Sequence, residues 1–131
     1  MPIHIVQLGS NRLPNEGLRL GTVRRPPRGV ARKDFARLNW YDLWLPILSP
    51  SPATIKLGQT AEGEVAWKRF AAKYRTEMKK PEVSMMLDLL AALSNQTSFS
   101  VGCYCDDETH CHRSILRQLL MERGAKILSV P

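Results

Sequence analysis

Phe99-Ser-Val-Gly-Cys-Tyr-Cys-Asp-Asp-Glu-Thr-His-Cys-His-Arg-Ser114 is the stretch that decides how the chain reads. Its opening, taken with Thr97 and Ser98, is a short apolar run that suits a buried strand from Thr97 to Cys103. An acidic loop, Asp106-Asp107-Glu108, runs on to His110. Cys111 opens a helix that extends to Arg123, and Gly124 supplies its C-cap. Lys126 to Val130 then reads as a closing strand. Strands alternating with helices imply α/β layers around a mainly parallel sheet, and the expected architecture is a three-layer α/β/α sandwich. In such sheets ligands bind beyond the carboxyl ends of strands, in the loop before the next helix. The loop that occupies this position holds all three cysteines and two of the three histidines, between Cys103 and His112.

Upstream of this unit, Thr60 is the expected N-cap of a helix in which Trp67, Phe70, Ala71, Tyr74 and Met78 form one apolar stripe. Lys79-Lys80 closes it, and Pro81 suits the first position of the next helix. Val83 to Leu93 is apolar on most sides, which predicts deep packing, and Ser94-Asn95-Gln96 ends it. Ala53 to Leu57 fits no single element. Towards the start, Ile3 to Leu8 reads as a buried strand bounded by Gly9-Ser10-Asn11, and Leu18 to Val23 as a second. Ala31 to Leu38 predicts a short helix. Tyr41 to Leu45 predicts an extended, largely buried segment, and the two closely spaced tryptophans, Trp40 and Trp44, are expected to pack in the core.

The chain has 131 residues, the size of a single domain spanning 1–131. Its start lacks the basic region of a secretory signal, and no window has the ~18 apolar residues of a membrane span, so no membrane partner is expected. Three cysteines in one segment make a poor disulfide framework. They fit a reducing compartment, and the expected location is cytoplasmic.

The net charge of +7 is concentrated. Residues 12 to 37 hold Arg12, Arg19, Arg24, Arg25, Arg28, Arg32, Lys33 and Arg37 against only Glu16 and Asp34. A localised field of this kind attracts phosphates or nucleic acid. Within it, Arg24-Arg25-Pro26-Pro27-Arg28-Gly29-Val30 is a stiff loop, and guanidinium groups can grip phosphate with two bonds each. The plain alternatives are a solvated basic surface, or salt bridges from this loop to Asp106-Asp107-Glu108.

Three chemistries fit the Cys/His stretch. The first is an anion site. A helix starting at Cys111 presents free N–H groups, with Arg113 and Arg117 on one face and Arg24, Arg25 and Arg28 as the opposite wall. The second is thiol catalysis. Cys111 at a helix start, beside His110, His112 and Arg113, has the surroundings of a nucleophile, with His112 as its catalytic partner. The third is zinc, held by Cys103, Cys105, Cys111 and either His110 or His112, although the spacing is not that of a zinc knuckle. Against all three stands a set of small buried cysteines with no chemistry.

At Pro27-Arg28-Gly29-Val30, and again at Trp67-x-x-Phe70-x-x-x-Tyr74-x-x-Glu77, the chain resembles the bacterial and archaeal family called domain of unknown function 488, in its YeaO-like branch. The Cys111-His112-Arg113 run is similar to one seen in other branches of that family. The resemblance covers nearly the whole chain and implies a small α/β domain, and it brings no established activity or catalytic residues. The combined expectation is a basic cleft between the Arg24–Arg28 loop and the helix start at Cys111–Arg113. It would bind a phosphate-bearing small molecule or nucleic acid, with a cysteine-dependent enzyme and a zinc-binding protein as alternatives.

Overall fold

The computed structural model describes residues 2–128. Four strands, β1 (Ile3–Gln7), β2 (Leu18–Gly21), β3 (Leu43–Trp44) and β4 (Phe99–Cys103), form one sheet in the order β1-β4-β2-β3. Every pairing is parallel. Strand β4 lies between its two longest partners, in register from Ile3↔Phe99 to Gln7↔Cys103 on one side and from Leu18↔Phe99 to Gly21↔Gly102 on the other. All five of its residues are buried, as expected of a parallel strand covered on both faces.

Parallel neighbours need long crossovers. Those leading back to β4 carry helices α1 (Pro52–Gln59), α2 (Gly63–Glu77) and α3 (Pro81–Leu93), and α4 (His112–Glu122) follows it. Side chains alternate along a strand, so Ile3, Leu20, Phe99 and Val101 share one face. There they pack into a single cluster with Phe70 and Tyr74 of α2, Leu87 of α3 and Leu116 of α4. On the other face Arg19 and Ser100 meet irregular chain. The Arg19 guanidinium and the Glu16 carboxylate lie 2.7 Å apart and are almost wholly buried. Ser100 Oγ donates to the same carboxylate, and Arg19 Nη1 donates to the carbonyls of Ser10 and Asn39. A second pair, Arg12–Asp42, accepts the Arg19 backbone N–H at Asp42 Oδ2. The layer opposite the helices is therefore held by charge-assisted hydrogen bonds, which are stronger than neutral ones.

Several local expectations change. Only Leu43 and Trp44 of the Tyr41–Leu45 segment form a strand, at the sheet edge. Trp44 is 44% exposed there, its Nε1–H donating to the Val23 carbonyl, whereas Tyr41 is buried. Over Ala31 to Leu38 the chain makes a 3-10 turn at Arg32–Asp34 and then irregular turns. The ambiguous 53–57 segment is helix α1, capped by Ser51, whose Oγ accepts from the Thr54 N–H. Thr60 ends that helix instead of starting the next one, which begins at Gly63. Helix α3 is amphipathic, not buried all round: Met85 is 63% and Leu89 51% exposed. The closing strand is represented by a parallel bridge between Ile3 and Ile127; Ser129 and Val130 lie outside the described residues. Gly124 adopts φ 80° just past the end of α4, the left-handed conformation expected of it.

Candidate functional site

Cys103 is the last residue of β4, and Cys111 is the N-cap of α4. Between them a 3-10 turn at Glu108–His110 reverses the chain. The extended backbone of Cys111 (φ −129°, ψ 153°) lets its side chain and that of the next residue turn towards each other. Cys111 Sγ lies 3.7 Å from His112 Nδ1. Cys103 Sγ lies 3.8 Å from Cys105 Sγ. One donor atom each from Cys103, Cys111 and His112 fall within 4.8 Å of one another, and all three residues are buried.

The far side of the imidazole fixes its tautomer. His112 Nε2 is 2.9 Å from the Thr22 carbonyl oxygen, which can only accept, so Nε2 carries a proton. Thr22 Oγ1, 3.2 Å from the same nitrogen, gives its own proton to the Gly102 carbonyl and serves as a second acceptor. In the neutral ring the Nδ1 lone pair therefore faces Cys111. Tyr74 packs edge-on against the ring, with centroids 5.5 Å apart, and is itself fixed by donating Oη–H to the Leu48 carbonyl. Hydrogen bonds from the Cys103 and Cys105 thiols, together with His112, hold the Cys111 pKa far below the usual thiol range despite burial. The same sharing of protons with Cys105 and Cys111, together with burial, pushes the Cys103 thiol up. One sulfur of the cluster is thus the favoured seat of negative charge, and it is the one at the helix N-terminus.

These residues line a cavity of about 580 Å³. Its other walls include Arg24, Arg25, Ser49, Pro50, Gly58 and Phe70. Arg24 is held in place by donating Nε and Nη2 to the Pro50 carbonyl and Nη2 to that of Ser49. Arg25 is exposed at the rim. Of the five arginines expected to bind anions, these two reach the cleft. Arg28 is exposed and does not line it. Arg113 is buried and donates Nη2–H to the Cys105 carbonyl at 2.6 Å, which ties the cysteine loop to α4. Arg117 makes a two-pronged pair with Glu108 (2.7 and 3.0 Å).

The acidic loop finds its partners in its own residues, in β1 and in α4. Asp106 accepts from Gln7, Glu108 pairs with Arg117, and Asp107 accepts from Thr109 and His110. The Thr109 and His110 contacts draw the Asp107 pKa down to about 2. None of these carboxylates lines the cavity, and the Arg24–Arg28 loop forms no salt bridge with them. His110 Nδ1 is turned to Asp107, so the imidazole grouped with the sulfurs is that of His112.

The helical motif of α2 now has a physical account. Phe70 walls the cavity, and Gly58 of α1 leaves it room, since a Cβ there would lie 2.8 Å from the ring. Glu77 accepts from the Ser51 N–H, the Ser51 hydroxyl and the Thr54 hydroxyl, which docks the start of α1 onto α2. Thr22 has no such signature. It orients His112 through a backbone carbonyl 90 residues away in sequence, and no local pattern announces such a contact.

A family model described as the active DUF488-N3 subclade matches residues 3–124. The chain belongs to the DUF488 family. Among the described residues, the match spans the strands and helices of this DUF488 protein from β1 through α4. No curated protein and no solved structure matches the chain. No helix among the described residues is long and apolar enough to cross a membrane.

Proposed function

We propose that this DUF488 protein is a thiol-dependent enzyme that acts on an anionic, phosphate-class ligand. Cys111 is the nucleophile, His112 its base, and Arg24 and Arg25 receive the ligand's charge. The observation that carries the reading is the oriented dyad. Cys111 Sγ faces the lone pair of His112 Nδ1 at 3.7 Å, and the ring is locked by Nε2–H on Thr22. A nucleophile, a base and a third group that orients the base are the parts that nucleophilic catalysis requires. The proton of the Cys111 thiol passes to Nδ1, leaving a thiolate and an imidazolium whose second N–H is already bonded. The thiolate then attacks the phosphorus of the ligand, the P–O bond to the leaving group breaks, and the imidazolium Nδ1–H protonates the departing oxygen, leaving a cysteinyl phosphate that water hydrolyses. The word "active" in the description of the matching subclade agrees with a catalytic role.

Competitive alkylation tests it. Cys105 is the exposed thiol, while Cys111 is 2% exposed and reachable only through the cleft. Accessibility alone would make iodoacetamide label Cys105 first. An activated dyad makes Cys111 label first at pH about 6.5, two units below the ordinary thiol pKa of ~8.5, and His112→Asn abolishes that preference. Labelling of Cys105 first in the native protein would sink the proposal.

A second reading is favoured by the converging donors. Four tetrahedral ligands with Zn–S bonds of ~2.3 Å place their sulfurs about 3.8 Å apart, the separation of the Cys103 and Cys105 sulfurs. A ligating imidazole characteristically donates its other N–H to a carbonyl, as His112 does to Thr22. Cys103, Cys111 and His112 Nδ1 would then hold zinc, with Cys105, which contacts Cys103 but lies outside that converging group, completing the set. Near-stoichiometric zinc in purified protein, with no cysteine labelled until a chelator is added, selects this reading over the first.

A further inference from the structure

From Arg25 at the cleft rim a run of cations continues beyond the cleft. Arg25, Arg28, Arg32 and Lys33 are all exposed, and none forms an ion pair among the described residues. The other charges of this part of the chain are spoken for: Arg12 by Asp42, Arg19 by Glu16, Arg37 by Asp34. Pro26 and Pro27 stiffen the segment. Tyr104, which lines the cavity, donates Oη–H to the Arg25 carbonyl at 2.8 Å and so fastens the segment to the cleft wall. Further along, Phe35 and Trp40 pack against a cluster that contains Tyr41, Cys103 and Cys111. The charge of Arg32 is felt at the Tyr41 phenol of that cluster, although burial of the phenol has the larger effect. The cations therefore follow one another along a segment that is tied to the cleft wall at Arg25.

The cleft itself continues past the dyad. A second cavity of about 450 Å³ shares Gly58 and His110 with the first and is lined by Trp67. Trp67 stacks on Phe70, with centroids 4.9 Å apart and planes 28° from parallel, and meets His110 edge-on. A groove with basic side chains at one end and a half-covered indole, Trp67, at the other matches the two components of single-strand recognition, backbone charge and base stacking. Neither cavity exceeds the size of a small-molecule site, so a duplex cannot enter.

We propose that Arg25, Arg28, Arg32 and Lys33 form a ledge for the phosphate backbone of a single-stranded nucleic acid, whose terminal nucleotide occupies the cleft with its base against Trp67. The placement of that nucleotide rests on the cleft being the substrate site; the ledge does not depend on Cys111.

The test is anisotropy of a labelled single strand of about 12 nucleotides, within the range of known single-strand site sizes, titrated with the full-length protein between about 50 and about 200 mM salt. Binding is expected at low salt, with log K falling linearly in log salt. Each neutralised phosphate of a single strand contributes about 0.7 to the slope, so the triple variant Arg28→Gln/Arg32→Gln/Lys33→Gln should lose about 2 from it. Trp67→Leu should weaken binding tenfold or more while leaving the slope unchanged. Absence of binding at low salt overturns the proposal, as does an unchanged slope in the triple variant. Equal affinity for a duplex, or equally effective displacement by polyglutamate, overturns it as well, the last pointing to an acidic protein partner. Cys111 alkylation in the triple variant separates the two readings: retained labelling with lost strand binding shows a folded protein whose ledge, not its dyad, was removed.

Discussion

The ion pair beneath the sheet offers a quantitative test of how the fold is held. Burial on its own would raise the Glu16 pKa, but the Arg19 guanidinium, the Leu13 N–H and the Ser100 hydroxyl together bring it from 4.5 to about 2. Each pKa unit is worth about 1.4 kcal/mol, so ionised Glu16 contributes about 3 kcal/mol to stability at neutral pH. The folded pKa is the lower one. The contribution is therefore complete above about pH 5.5, declines as pH falls below the unfolded pKa, and is lost as pH passes below the folded pKa of about 2. Glu16→Gln keeps the shape but leaves the buried Arg19 charge unpaired, which mimics protonated Glu16. Urea unfolding followed by tryptophan fluorescence should show the variant about 3 kcal/mol less stable at pH 7. The two proteins should converge as pH approaches 2. A difference that stays constant across that range would refute the assignment, because it would mean that the loss comes from packing and not from the charge.

Two further predictions concern packing. Tyr74→Phe removes the donor to the Leu48 carbonyl, and a buried acceptor left unsatisfied costs about 1–3 kcal/mol, readable as a lower urea midpoint with unchanged slope. Gly17 and Gly29 both have positive φ, 76° and 70°, yet a Cβ on Gly17 would fall inside the Ser98 carbonyl, while one on Gly29 meets nothing within 4 Å. Gly29→Ala should therefore cost only the roughly 1–2 kcal/mol of a left-handed residue. Gly17→Ala should cost clearly more, and equal melting temperatures for the two variants would contradict the contact.

The parts of the fold that could be read from the sequence were those with a strong period or a strong stop. The apolar run ending at Cys103, the stripe through Phe70 and Tyr74 and the glycine after α4 all took their expected places. Trp44 misled because hydrophobicity does not say which strand will be the sheet edge; that depends on pairing across the whole chain. Met85 and Leu89 misled for a similar reason, since α3 has neighbours on one side only and its apolar content overstates its burial. At the candidate site, residue types pointed to side chains that the fold does bring together, Cys103, Cys111 and His112, but their arrangement turned on geometry. His110 and His112 are indistinguishable as letters, and a 3-10 turn sends one to Asp107 and the other to Cys111. Arg113 and Arg117 sit at anion-binding spacing, yet one holds a loop carbonyl and the other Glu108. Thr22 could not be anticipated at all, because it acts through its main chain.

The way His112 is held has a consequence for how the protein acquires its chemistry. The dyad exists only when the end of β2, the end of β4 and the start of α4 have met, and Thr22 and His112 are separated by most of the chain. Closing such a loop is among the slower events of folding, since its entropy is lost before the contact repays it. On the proposed reading, an emerging or partly folded chain carries three ordinary thiols, and the oriented one appears only in the finished sheet. Thiol reactivity here doubles as a clock for the last stage of assembly, and a chain that stalls earlier is chemically silent.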